Sequence, residues 1–400
     1  MIDDLFEFLQ ESVTPYHAAA TAAAWLEAAG FTRLEEADYW NLEPGKGYYI
    51  VRNGSAVVAW RIPDHAIGGW RITASHSDAP GWKIKSDTVQ NDGCRRLSVE
   101  GYGGMIMSSW LDRPLTVAGR VLLRTEDGVE TRLVHFDRDL LVIPSLAIHM
   151  QRDVNQGHHY NPQIDMQPLW GPADSRTLTD LLCEELGVKA EDILDRDLQL
   201  VTRQAPTVIG PDGQYFMAPR IDDLECAATT LLGFIEAAAE TDSACAPVWA
   251  MLDNEEVGSS SRQGAQSSFL RDVLDRILEA IPHSAQMEHR ALANSFMLSA
   301  DNGHAAHPNF AAKSDPAAPV RLGGGVVLKY NASQKYTTNA LSGGVFRAVC
   351  AKAGVPVQAF TNRADEPGGS TLGNLLSHSL PIPMADIGLA QLAMHAAVET

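Results

Sequence analysis

The chain has 400 residues, 45% of them hydrophobic and 20% charged, with 50 Asp and Glu against 31 Lys and Arg and a net charge of −19. This is globular composition, and the length suits one large domain or two to three ordinary ones. The acidic balance argues against a nucleic-acid binder, which needs a basic face, and against electrostatic docking on an anionic membrane.

The first stretch, MIDDLFEFLQ, is acidic and amphipathic, unlike the positive start and apolar core of a signal peptide. No apolar run is long enough for a membrane span. Cys94, Cys183, Cys226, Cys245 and Cys350 are scattered and form no Cys-x-x-Cys pair. A cytoplasmic protein with reduced thiols is the expectation.

In chain order, residues 3–30 show apolar positions at helical spacing. Thr14 with Pro15 reads as an N-cap followed by proline at the first helical position, and Gly30 as a stop, so two helices are expected. Short strands follow in GYYIVRN, AVVAWRI and WRITASHSD. From about 86 to 209 the texture changes to short alternating runs (RRLSVEGYGG, LTVAGRVLLRT, ETRLVHF, LQLVTR) split by Gly and Asp, which are hairpin signals. One helix is expected near SRTLTDLLCEELGV. After 215 the alternation of helix and strand returns: LECAATTLLGFIEAAAE is helical, APVWAMLDN a strand, SSFLRDVLDRILEAI a helix and SFMLSADNG a strand. GGGVVLKYN, a helix near NALSGGVFRAVCAKAG, VPVQAFTN and IPMADIG complete the chain. The expected architecture is an α/β domain with a mixed sheet (1–85 and 210–400) interrupted by a β-rich, barrel- or sandwich-like insert (86–209).

The chemistry-bearing residues gather at the ends of these strands. His76 and Asp78 follow WRITAS, Asp222 and Asp223 follow APRI, Glu255 and Glu256 follow WAMLDN, Asp301 ends FMLSA, and His395 lies in LAQLAMHAA. In open α/β sheets, sites form beyond the carboxyl ends of strands. Oxygen and imidazole donors without cysteine suit one or two divalent metals. Singly, each has an ordinary explanation: a structural histidine, a helix-capping Asp pair, a solvated Glu pair. Two glutamates after an apolar strand fit solvation poorly. A metal site accounts for both, with one glutamate binding a cation and the other acting as general base.

The stretches ASHSDAP, APRIDDLE, DNEEVGSSSRQGAQS, SADNGHAAHPN, KYNASQKYTTNA, PGGSTLGN and DIGLAQLAMHAAVE resemble, in order and over essentially the whole chain, the motifs of the M18 metallopeptidases, the aspartyl aminopeptidase family. The resemblance implies two zinc ions per subunit, with manganese or cobalt as possible substitutes. It implies that His76 and Asp301 bind one metal, Glu256 and His395 the other, and Asp222 both. Asp78 then orients His76, and Glu255 is the general base that activates water and returns its proton to the leaving amine. The expected reaction is removal of an N-terminal residue, Asp or Glu, from peptides. The resemblance further implies that the β-rich insert is a dimerisation domain and that dimers build a tetrahedral dodecamer. His149, in IPSLAIHMQR, would then reach a neighbouring subunit's active site. Lys329 would sit in the substrate pocket, with His304 also touching substrate.

The sequence departs from the resembled pattern at Ser77, Ala79 and Asp223, and after Pro80 in GWKIK. Thr400 stands five residues after His395, where the family continues through a longer final helix. Competing readings are an aminopeptidase of the same fold preferring apolar residues, a carboxypeptidase or deacylase sharing the His-x-Asp, Asp and Glu-Glu logic, and a non-catalytic assembly or cargo scaffold. The last has no need of an intact Glu255 and its neighbouring donors.

Overall fold

The computed structural model describes residues 2–91, 93–240 and 242–400. They form two units, one from the residues up to Asp78 with Ile221–Met394 and Thr400, the other from Ala79–Arg220 with His395–Glu399.

In the first unit, Thr14 is extended and its hydroxyl accepts the His17 N–H at 3.4 Å, which with Pro15 starts the helix Pro15–Ala28. The preceding helix, Ile2–Glu11, buries Leu5, Phe8 and Leu9. Phe8 meets Trp25 edge-on at 5.2 Å. The large sheet is mixed. Its strands run in the order Phe31–Arg33, Gly47–Arg52, Ala56–Arg61, Cys245–Leu252, Gly69–His76, Phe296–Ala300, Met384–Gly388, Val326–Tyr330 and Val357–Thr361. The central four, from Cys245–Leu252 to Met384–Gly388, are mutually parallel, so their carboxyl ends lie at one edge. Their apolar runs are buried nearly throughout, as a sheet covered on both faces requires. The helix Ile221–Ala237 packs Leu224, Ala227, Ala228 and Leu231 inward at a spacing of three to four. The helix Phe269–Glu279 contributes Phe269, Val273 and Ile277 to a core shared with Trp60, Ile72 and Val248.

The second unit is built on an antiparallel sheet in the order Gly128–His135, Leu115–Thr125, Ile193–Thr202, Gly81–Asn91, Cys94–Tyr102 and Leu169–Pro172. Its core joins Trp82, Leu97, Val117, Val121 and Leu198 to Leu178 and Leu182 of the helix Leu178–Leu186. The tail is tied to this unit: Ile106 N–H donates to His395 O at 2.9 Å, Ala397 N–H donates to Ser109 Oγ at 2.8 Å, and Glu399 pairs with Ala218. Together the units give the mixed α/β fold expected from the alternating texture.

Two helices, Ala285–Ala293 and Leu372–Ser379, form where no element is expected. The first buries only Ala291, so it carries no apolar period to read. The second starts inside the glycine-rich PGGSTLGN and buries Leu372, Gly373 and Leu376. The strand Gly81–Asn91 is also absent from the sequence reading, because its polar residues hide the alternation. No helix among the described residues is long and apolar enough to cross a membrane.

Candidate active site

His76 is the last residue of the strand Gly69–His76 and pairs in parallel register with Leu252, the last residue of its neighbour. The apolar run before the glutamates therefore ends at Leu252. Glu255 and Glu256 lie beyond it on one short 3₁₀ turn, Glu255–Val257, entered through left-handed Asn254 (φ 62°) and left through Gly258 (φ 92°). Asp222 and Asp223 occupy the non-helical start of Ile221–Ala237, and their shared peptide is cis. Asp301 follows the strand Phe296–Ala300. Gly388 closes the neighbouring strand against it. A Cβ on Gly388 would sit 1.9 Å from Asp301 O, so glycine alone allows this approach.

Asp78, wholly buried, links two of these strand ends. Its Oδ1 accepts the Glu255 N–H and its Oδ2 the Glu256 N–H, each at 3.1 Å. His76 Nδ1 lies 3.0 Å from Asp78 O and 3.3 Å from Asp78 Oδ1. One carboxylate thus orients both the imidazole and the turn that bears the glutamates. Asp223 Oδ2 accepts the His76 N–H at 3.1 Å, and His76 Nε2 stands 3.6 Å from Asp222 Oδ1.

The side-chain donors converge in two overlapping groups. His76, Asp222, Asp223 and Asp301, all buried, offer ligand atoms within 4.8 Å of one another, as do His76, Glu255 and Glu256. Lys329 stands behind Asp301. Its Nζ donates to Asp301 Oδ1 at 3.3 Å and to Asn302 O at 2.8 Å, and the residue is 3% exposed.

Burial dominates the electrostatics. It pushes the Glu255 carboxyl up to about 8; His76 opposes this, and Asp301, Glu256 and Asp78 reinforce it. Burial likewise raises Asp223 and Asp301, against the pull of His76 and of Lys329 respectively. For His76, burial alone would lower the pKa. The nearby Asp222 carboxylate and the charges of Asp223 and Asp78 outweigh this and hold it well above the usual histidine range. Such a cavity favours protons while it holds no cation. Its donors are carboxylate oxygen and imidazole nitrogen, the set that catalytic zinc, and also manganese or cobalt, accepts. The carboxylates outnumber His76 and Lys329, so a divalent cation balances their charge. The residues fit the metal.

The remaining candidates belong to other segments of the chain. His304 pairs with Gln391 in a two-residue strand and meets Phe360 edge-on at 6.4 Å. It lines a cavity of about 270 Å³ with His307, Phe360, Gln391 and Met394. His149 belongs to the second unit, within the exposed stretch 144–150 that also carries Leu146, Ile148 and Met150. His395 belongs to the tail of that unit, has a positive φ of 67°, and turns Nδ1 toward Gly104 O at 3.0 Å. Sequence reasoning missed the contact of Asp223 with the His76 main chain. The doublet RIDD was its signal, read there as two site carboxylates and, at Asp223, as a departure from the resembled pattern.

The sequence profile of the family described as aminopeptidase I zinc metalloprotease (M18) matches residues 8–400. A probable M18 family aminopeptidase 2 of Clostridium novyi is 40% identical over 404 residues, covering 98% of this chain and 93% of the relative. The cryo-EM structure of the Ape4 and Nbr1 complex superposes with a TM-score of 0.95 at 33% identity, covering 99% of this chain and 81% of that one. The mApe1 dodecamer of S. cerevisiae superposes with a TM-score of 0.87 at 25% identity, covering 99% and 91%. With its strand-end carboxylates and imidazole, the chain belongs to the M18 family of zinc metallo-aminopeptidases.

Proposed function

We propose that the protein hydrolyses the N-terminal peptide bond of peptides beginning with Asp or Glu, using two zinc ions and Glu255 as general base. The observation that carries this reading is the pair of overlapping donor groups that share His76, one through Asp222, Asp223 and Asp301 and the other through Glu255 and Glu256.

His76 and Asp301 are assigned to one zinc, Glu256 and His395 to the other, and Asp222 to both. When bound, zinc lowers the pKa of water from about 15.7 toward about 7 and polarises the scissile carbonyl. Asp78 holds the His76 ring and presents the Glu255 turn. Glu255 takes a proton from the attacking water and returns it to the amine as the carbon–nitrogen bond breaks. Burial around Glu255 raises the basicity of a carboxylate that must hold a proton between these two steps. His304, on the wall of its cavity, is assigned to substrate. Lys329 serves an acidic first side chain from behind Asp301, where its buried charge adds to the local field. A local source is needed, since a net charge of −19 does not attract acidic peptides.

The catalytic domain is assigned to 1–85 and 210–400 and the dimerisation domain to 86–209. The exposed apolar stretch around His149 supports an interface there, with His149 supplied to a neighbouring subunit and dimers assembling into a tetrahedral dodecamer. The unpaired state of Cys94, Cys183, Cys226, Cys245 and Cys350 suits the cytoplasm.

Elemental analysis should find close to two zinc ions per chain. Glu255→Gln should keep them while losing about 10²–10⁴-fold in rate. A variant with full rate rejects Glu255 as base, and zinc-loaded protein inert on all N-terminal substrates rejects the activity. Rates on Asp-, Glu-, Leu- and Lys-aminoacyl substrates test specificity. Equal rates reject the acidic preference, and Lys329→Met should abolish it.

A further inference from the structure

Asn302, next to Asp301, is 2% exposed and joins segments from three parts of the first unit. Its Nδ2 donates to Ile221 O at 3.1 Å, to Glu225 Oε2 at 3.1 Å and to Gln391 Oε1 at 2.8 Å. Its Oδ1 accepts the Cys226 thiol at 3.0 Å and the Leu389 N–H at 3.3 Å. Its main-chain oxygen takes the Lys329 ammonium that also holds Asp301. The side chain therefore bonds the residue just before Asp222, the next turn of the same helix, and the segment following Met384–Gly388. No other side-chain type of this size offers two donors and an acceptor in one plane.

We propose that Asn302 is a positioning residue that sets the separation of Asp222 from Asp301 and thereby the affinity of the cation site they share with His76. The inference rests on the assignment of those residues as ligands. Asp222 sits at an irregular helix start and Asp301 at a strand end, so neither carboxylate is placed by regular secondary structure alone. Asn302 spans the gap between their backbones. It grips the helix through Ile221, Glu225 and Cys226, and it adjoins Asp301 through the chain itself. Partners that orient ligands in this way contribute about 10–100-fold to metal affinity.

The test is zinc affinity by chelator competition on purified full-length protein, for wild type, Asn302→Leu, Asn302→Ala and Asp301→Ala, with melting of the metal-free proteins recorded beside it. Asn302→Leu keeps the branched outline without its polar groups, and Asn302→Ala admits water where the bulkier Leu strains the site. Both Asn302 variants should bind the more weakly held zinc at least about 10-fold less tightly than wild type, and kcat should fall while KM stays within about twofold. Wild-type zinc affinity in folded Asn302 variants overturns the inference, even if their metal-free melting drops, because that is the mark of a merely structural residue. Failure of both to fold, with or without zinc, overturns it in the same way. If Asp301→Ala binds zinc like wild type, the ligand assignment itself is wrong, a result separate from loss of the Asn302 effect alone.

Discussion

Asp78 holds Glu255 by its main chain: the carboxylate Oδ1 accepts the Glu255 N–H at 3.1 Å while the adjoining oxygen takes that of Glu256. Replacing Asp78 by Asn turns one acceptor into an NH₂ group that faces a main-chain donor. Asp78→Asn should lower kcat and zinc affinity by about 10–100-fold each while the fold persists. Circular dichroism, zinc titration and steady-state kinetics check this. Unchanged kinetics would remove Asp78 from the positioning role.

The metal-free protein should lose stability as pH rises. Folding raises the Glu255 pKa from 4.5 to about 8, so the unfolded chain releases this proton first. The stability from this group is full below pH 4.5 and is lost as pH climbs through about 8. Glu225, raised to about 7 by burial, acts with the same sign, as do His76, Asp223 and Asp301. Chelator-treated protein should melt lower at about pH 8.5 than at about pH 6.5, and zinc uptake near pH 7 should release protons. A melting temperature that rises over this interval would contradict the burial argument.

His149 has a test of its own in mixed oligomers. A chain carrying His149→Ala keeps Glu255, and a chain carrying Glu255→Gln keeps His149. Each should be nearly inactive alone. Random pairing after mixing should restore about a quarter of wild-type activity if His149 crosses between subunits of a dimer. Activity that stays at the sum of the two inactive parents would place His149 within its own chain.

Asp386 is fully buried in the strand Met384–Gly388. Its carboxylate accepts the Thr337 N–H, the Thr337 hydroxyl at 2.5 Å and the Thr371 hydroxyl at 2.6 Å. It thereby fastens the KYTTN loop and the start of the helix Leu372–Ser379 to the sheet. Asp386→Ala strands these donors and should cost about 3 kcal/mol of stability. Denaturant unfolding of metal-free protein measures it, and a loss under about 1 kcal/mol would mean that water replaces the carboxylate.

The strands that carry the site were legible because they are apolar runs ending in charge, a pattern with few other causes. His76, Asp222, Glu255, Glu256 and Asp301 follow from it, and the structure brings these five into the overlapping donor groups. Their supports were not legible. Asn302 stands in DNG, at the end of a stretch that reads as a strand, and its partners lie far along the chain. Asp386 sits in IPMADIG with no cation nearby in sequence, since its partners are threonines and a backbone N–H. Lys329, read as a pocket lysine, is buried against Asp301, a contact that depends on the strand Met384–Gly388 lying between theirs, parallel to one and antiparallel to the other. Glu255 and Glu256 read as two charges at the end of an apolar strand. The left-handed turn at Asn254 puts them on a short helical turn instead, which Asp78, distant in sequence, helps to hold through both glutamate N–H groups.

The strand Gly69–His76 lies between Cys245–Leu252 and Phe296–Ala300, both made long after it. The residues from Ala79 to Arg220 belong to the other unit and can reach their own antiparallel partners first. During synthesis, His76 therefore waits with both strand edges unpaired until residue 252 has emerged, and with one unpaired until residue 300. No early fragment can assemble the His76, Asp222 and Asp301 donors. Zinc uptake in a growing or refolding chain would then report that Phe296–Ala300 has been laid beside Gly69–His76.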